Sequence, residues 1–115
     1  MHEYSIVQSL MDRAESEAAA RGATVVRALT VRIGELSGVE PVLLQTAFET
    51  FVEKTICEGA ALKIIRVPVT WACPRCEEPI APGTFLQCPK CAVPATLRGG
   101  DEIILERIEM EVPDV

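Results

Sequence analysis

Between Glu3 and Arg21 the apolar residues Ile6, Val7, Leu10, Met11, Ala14 and Ala18 recur at steps of three and four. That spacing predicts an amphipathic helix with one apolar face. Arg21 and Gly22 close it, a cation in the last turn followed by a residue that accepts positive φ. Val25, Leu29, Val31 and Ile33 then alternate with Ala28, Thr30 and Arg32, which predicts a strand. GELSG breaks the alternation. Pro41 follows at a position suited to a helix's first turn, where its missing N–H costs nothing. Leu43, Leu44, Ala47, Phe48, Phe51 and Val52 predict a second amphipathic helix, stopped by Glu58-Gly59. The aliphatic and β-branched run Ala61 to Val69 predicts a second strand. After Gly99-Gly100, EIILERIEMEV predicts a third, with Ile104, Ile108, Met110 and Val112 on one face and Glu106 as an exception to it.

The order is therefore helix, strand, helix, strand, an irregular segment, strand. A helix crossing between two strands of one sheet makes those strands parallel. The expected fold is α/β (α+β): a small three-stranded mixed sheet with two helices on one face, interrupted by an inserted module. Residues 1–67 and 98–115 would form the main domain and residues 68–97 the insertion.

The insertion has a different composition. Most of the eight prolines and four of the five cysteines fall there. A segment with so little periodic pattern cannot hold itself by apolar burial, so something else must tie it. The stretch WACPRCEEPIAPGTFLQCPKCAVP supplies the means: Cys73, Cys76, Cys88 and Cys91 form two C-x2-C pairs separated by eleven residues. Each pair lets two thiolates from one tight turn reach one ion at about 2.3 Å, and two facing turns complete a tetrahedron. Arg75 and Lys90, inside the turns, are placed to offset the anionic charge. Four ligands leave no open position, so the expected ion is a structural zinc rather than a catalytic one. Two disulfides, a redox C-x2-C and an iron–sulfur cluster are the alternatives to weigh against it. Cys57, outside the module, reads as a small apolar residue near the end of the second helix.

Charge and hydropathy narrow the function. The net charge of −6 argues against nucleic acid, whose binding requires clustered Lys and Arg. No apolar run approaches the ~20 residues that span a membrane. Glu3, Asp12, Arg13 and Glu15 interrupt any signal-peptide core. A cytoplasmic location is expected, where paired cysteines are metal ligands or redox groups more often than disulfides. No nucleophile–base pair and no Gly-rich phosphate loop points to an enzyme.

The single histidine is His2. An unblocked Met1 would offer its α-amine, His2 its amide nitrogen and imidazole Nδ1, and Glu3 a further amide nitrogen. Four nitrogens in a plane suit Ni(II) or Cu(II) and suit zinc poorly. Glu3 could instead act through its carboxylate, orienting the imidazole. A histidine at position two is also commonly incidental, and the residues alone do not decide between these.

MHEYSIV, VRIGELSGVEP, AFETF, the paired cysteine motifs and GGDEIILERIEMEV occur in this order. Together they resemble the HypA/HybF family, the hydrogenase nickel-incorporation proteins, over nearly the whole chain. The resemblance implies a metallochaperone that binds Ni(II) as cargo and helps insert it into the large subunit of a [NiFe]-hydrogenase. It implies a nickel-handling maturation GTPase as partner, leaves urease accessory proteins and a homodimer open, and implies neither nucleic acid nor membrane. His2 matches the family's nickel ligand, with Met1 and Glu3 beside it. Cys73, Cys76, Cys88 and Cys91 match its zinc ligands. Glu40 falls where some members carry an acidic residue near the nickel, though Glu35 and Glu40 also read as helix-start acids favoured by the dipole. Many members have a small or polar turn residue after the last cysteine; here AVPA follows, so the outer loop of the ribbon is expected to differ.

Overall fold

The computed structural model describes residues 2–81 and 85–113, and His2 by its backbone only. Its elements are α1 (His2–Arg21), β1 (Val25–Gly34), α2 (Pro41–Phe51), β2 (Ala61–Val67), β3 (Thr70–Ala72), β4 (Pro79–Ile80), β5 (Thr96–Gly99) and β6 (Ile103–Glu111). They form two three-stranded sheets. In the larger, with order β2-β1-β6, β1 is parallel to β2 and antiparallel to β6. In the smaller, β3 is flanked by β4 and β5, both antiparallel to it.

Both helices cover one face of the larger sheet. Val7, Leu10, Met11, Ala14 and Ala18 of α1 meet Val26, Leu29, Val31 and Ile33 of β1 and Leu44, Ala47 and Phe48 of α2 in one core. The helix-period pattern of α1 and the fold class are therefore as the sequence implies. Among the described residues the other face of the sheet carries no helix and is crossed by side-chain ion pairs. Lys63 reaches Glu109 at 3.0 Å, and Arg32 reaches Glu106 at 3.1 Å. These exposed pairs contribute little to stability, about 0–1 kcal/mol each.

Four local expectations are corrected. First, Arg27 is an extra residue in β1 and Glu106 an extra residue in β6, because the pairing register shifts at both places. A bulge of one residue flips the face that every later side chain takes. Val26, not Val25, thus joins the core, and Ile103 and Leu105 lie opposite the buried Ile33 and Val31. Ile104, opposite Arg32, turns to the open face, so it does not share a side with Ile108 and Met110. Second, α2 ends at Phe51, capped by Val52, and does not run to Glu58. Lys54 takes a positive φ of 62° and gives its N–H to the Glu58 carboxylate at 2.9 Å. The turns that follow still bury Val52 and Cys57. Third, β2 stops at Val67. Pro68 has no N–H to give to a ladder, and the N–H of Val69 goes to the Glu35 carboxylate at 2.9 Å. Fourth, that bond makes Glu35 a partner of the passing chain and not a helix-start acid.

Glu40 does start a helix. It is the N-cap of α2, its carboxylate accepting the N–H of Val42 at 3.4 Å, with Pro41 next.

The two chain segments that connect the sheets, 68–69 and 100–102, meet at the end of β1. Gly34 gives its N–H to Glu102 at 2.8 Å, Glu35 to Val67 at 2.9 Å and Leu36 to Gly100 at 2.6 Å. The backbones lie so close that a Cβ on Gly34 would stand 2.3 Å from the carbonyl carbon of Gly100. Gly100 has a φ of +94°, and a Cβ there would stand 2.5 Å from the Cα of Val69. The GEL turn thus fixes both connections at one point. The amino end of α1 lies at this same end of the sheet, since Ser5, Ile6 and Ser9 border one hollow with Ile103, the residue opposite Ile33.

Candidate metal centre

Two turns build the cysteine site, and they are near copies. In the first, Cys73 Sγ accepts the N–H groups of Arg75 and Cys76, each at 3.4 Å, and Glu77 N–H returns to the Cys73 carbonyl at 3.0 Å. In the second, Cys88 Sγ accepts the N–H of Cys91 at 3.4 Å, and Ala92 N–H returns to the Cys88 carbonyl at 2.9 Å. Proline at the second position of each turn fixes φ and has no N–H to satisfy. Short β3 and β4 present the first turn. The second is held by Cys88 N–H on the Val93 carbonyl at 3.0 Å and by the Gln87–Pro94 bridge.

The four sulfurs lie within 4.8 Å of one another, with Cys76 and Cys88 3.7 Å apart. A tetrahedron with arms of ~2.3 Å has edges of about 3.8 Å, so the set is sized for one ion. All five cysteines are free thiols. Four soft donors in a tetrahedral arrangement fit zinc and leave no position for substrate.

The thiols share protons unevenly. The N–H groups of Cys76 and Arg75 pull the Cys73 thiol down to about 7, with help from the Cys76 and Cys88 thiols. Desolvation and the three neighbouring thiols push Cys91 up to about 12. On Cys76 the N–H of Glu78 acts to lower the thiol, but burial and the Cys73 and Cys88 thiols outweigh it and the net direction is up. Of these three thiols Cys73 ionises most readily. A divalent ion would supply the positive charge that lets Cys76 and Cys91 ionise. Lys90 Nζ lies 3.6 Å from the carboxylate of Glu78. Arg98, which the sequence does not single out, bonds Glu77 at 3.0 Å.

Each turn exits through a left-handed residue that is not glycine: Glu77 at φ 64° and Ala92 at φ 56°. A Cβ in that region costs roughly 1–2 kcal/mol. Ala92→Gly should therefore raise the stability of the metal-loaded protein by about 1 kcal/mol, seen as a higher thermal midpoint. An unchanged or lower midpoint contradicts this account of the turn.

Cys57 takes no part. It is fully buried in the main core. Burial, with Glu15 adding to it, pushes its thiol up to about 11, so it stays protonated and inert.

Met1 and the side chain of His2 lie outside the described residues. The backbone of α1 begins at His2. The amides of His2 and Glu3 thus fall in the first turn, where N–H groups have no acceptor four residues back. Glu3 is half-buried in that turn, at the positive end of the helix dipole.

Comparison with known proteins places this arrangement. A family profile described as "Hydrogenase/urease nickel incorporation, metallochaperone, hypA" matches residues 1–110. The hydrogenase maturation factor HypA of Shewanella oneidensis is 41% identical over 113 residues, covering 96% of this chain and 96% of its own. That of Wolinella succinogenes is 39% identical over 117 residues, covering 99% and 98%. The solution structure of the Ni metallochaperone HypA from Helicobacter pylori superposes with a TM-score of 0.72 at 32% identity, covering 96% of this chain and 98% of that one. A second solution structure of a HypA protein gives 0.81 at 33% identity, with 98% of both chains covered.

Proposed function

Because the chain belongs to the HypA family of nickel metallochaperones for hydrogenase maturation, we propose that it carries Ni(II) at its amino end and passes it to the large subunit of a [NiFe]-hydrogenase. The family is one of metallochaperones, not of enzymes. The carrying site is the α-amine of Met1, the amide and imidazole of His2 and the amide of Glu3. The start of α1 at His2 supports this most directly. Those amides have no helical bond to give up, so a metal that displaces their protons does not unwind the helix. Glu3 would orient the imidazole. Glu40 is at present occupied in capping α2; a role near the nickel is the finer part of the proposal.

The sulfurs of Cys73, Cys76, Cys88 and Cys91 would hold Zn(II), which when bound supplies a cross-link and no chemistry. In this reading residues 68–97 are the zinc module, and 1–67 with 98–115 the nickel-binding domain. The partners are a maturation GTPase, whose nucleotide hydrolysis drives transfer, and the hydrogenase precursor; urease accessory proteins and a second copy of the chain are further candidates. The setting is the cytoplasm. Among the described residues, no helix is long and apolar enough to cross a membrane.

A cargo site must release what it holds. Ordering a chain end costs entropy, which tempers affinity. Nickel should bind at about micromolar strength, about −8 kcal/mol. The test is calorimetric titration of Ni(II) into zinc-loaded native protein, into His2→Ala and into protein extended by Gly-Ser before Met1. Both changes should abolish the strong phase. Equal binding by all three contradicts the proposal.

A further inference from the structure

The four sulfurs of the metal centre are not equivalent. Cys73 is 0% exposed and Cys88 1%, and they share a small apolar cluster with Ile80. Cys91, half-buried, packs on that cluster with Trp71, Val93 and Ala95. Cys76 is exposed and stands outside it. The hydrogen bonds set Cys73 apart: it accepts two backbone N–H groups, against one each for Cys88 and Cys76, so between those last two burial alone makes the difference. Donated N–H groups draw electron density from a thiolate and make it a weaker nucleophile, while apolar neighbours block the approach of a reagent.

We propose that Cys76 is a modification site, the sulfur at which soft electrophiles enter the four-thiolate knot and open it. This rests on the reading of the cluster as a zinc site. In the reaction with an alkyl halide, the Cys76 sulfur forms a bond to the carbon and the halide departs with the electron pair of the bond that breaks. The product is a neutral thioether, a poor donor to zinc. The set falls from four thiolates to three, and a closed structural site gains an open position. The first turn, from Cys73 to Glu78, then loses one of its two anchors. The second keeps Cys88 and Cys91, both packed on the apolar cluster. Opening is therefore one-sided, and it begins at the exposed corner.

The experiment uses the full zinc-loaded chain and a limiting amount of iodoacetamide. Zinc content before treatment, by elemental analysis, tests the underlying zinc reading separately: one ion per chain is expected. Alkylated sites are then mapped by tandem mass spectrometry over time, and zinc release is followed with a chromogenic chelator. Cys76 should be modified first, with a preference on the order of tenfold over Cys73 and Cys88, and zinc release should follow its modification. Cys57, buried in the other core, should stay unmodified until the protein unfolds and so reports on integrity. First modification at Cys73, Cys88 or Cys91, or uniform modification of all four before zinc leaves, overturns the proposal.

Discussion

Stripping zinc from the native protein should unfold residues 70–99 and leave the β2-β1-β6 sheet with its helices intact. The smaller sheet has little else to hold it. Its buried core is Cys73, Ile80 and Cys88, with Trp71, Cys91, Val93 and Ala95 packed alongside. Full burial of an aliphatic side chain contributes about 1.5–3 kcal/mol. Ordering about thirty backbones costs at least ~1 kcal/mol each. Apolar burial falls far short of that sum, and ion binding to four thiolates, worth ~10–16 kcal/mol, is the largest contribution the ribbon can add to it. Among the described residues the larger sheet has a core of fifteen buried ones drawn from α1, β1, α2, β2 and the turns before β2, so it should fold without the ion. Amide spectra recorded before and after chelation distinguish the two. Signals of the ribbon should collapse to random-coil positions while those of Leu29, Val31 and Phe48 stay dispersed. A ribbon that keeps its dispersion without zinc, or a whole chain that unfolds with it, contradicts this. Acid should act in the same direction as the chelator. Each thiolate must be free of its proton to bind, so zinc affinity falls as the pH is lowered.

Gly34→Ala should be strongly destabilising through backbone overlap alone. The residue has an ordinary φ, so the effect is not conformational. The new Cβ would meet the carbonyl carbon, the carbonyl oxygen and the following nitrogen of the 100–101 peptide at 2.3, 2.4 and 2.7 Å. These are backbone atoms and cannot swing aside. The connection from β5 to β6 would have to move, and with it the bonds that Leu36 gives to Gly100 and Gly34 to Glu102. Overpacking alone costs about 1–3 kcal/mol, and two strained backbone hydrogen bonds add about 1 kcal/mol each. Gly38→Ala is the control. Gly38 has a φ of +81° and nothing within 4 Å of an added Cβ, so only the cost of a positive φ remains, roughly 1–2 kcal/mol. Denaturant unfolding of zinc-loaded protein should rank Gly34→Ala well below Gly38→Ala in stability. Equal losses would mean that the junction at the end of β1 yields more easily than the backbone distances imply.

Much of this architecture is legible in the chain. The helix period from Ile6 to Ala18, the Pro41 start of α2 and the twin C-x2-C pairs each carry a local physical rule, and each corresponds to an observed element. What was hidden depends on partners distant in sequence. Nothing in VVRALT or LERIE marks Arg27 and Glu106 as bulge residues; the two insertions arise from fitting β6 against β1, and only there do they decide that Ile104 faces out. Glu35 looked like a helix-start acid because the element after GELSG is a helix. Its bond to Val69 spans thirty-four positions and has no local signature. Likewise the end of α2 at Phe51 is not foreshadowed, since Val52, Ile56 and Cys57 continue an apolar pattern that serves the core from turns.

The central claim is a division of labour: nickel on nitrogens at the start of the chain, zinc on the sulfurs. X-ray absorption at the nickel edge, on protein loaded with one zinc and one nickel per chain, tests it directly. The account predicts a first shell of nitrogen and oxygen scatterers alone, in planar geometry, and its loss in His2→Ala. Nickel–sulfur scattering at the edge, unchanged in His2→Ala, would contradict it.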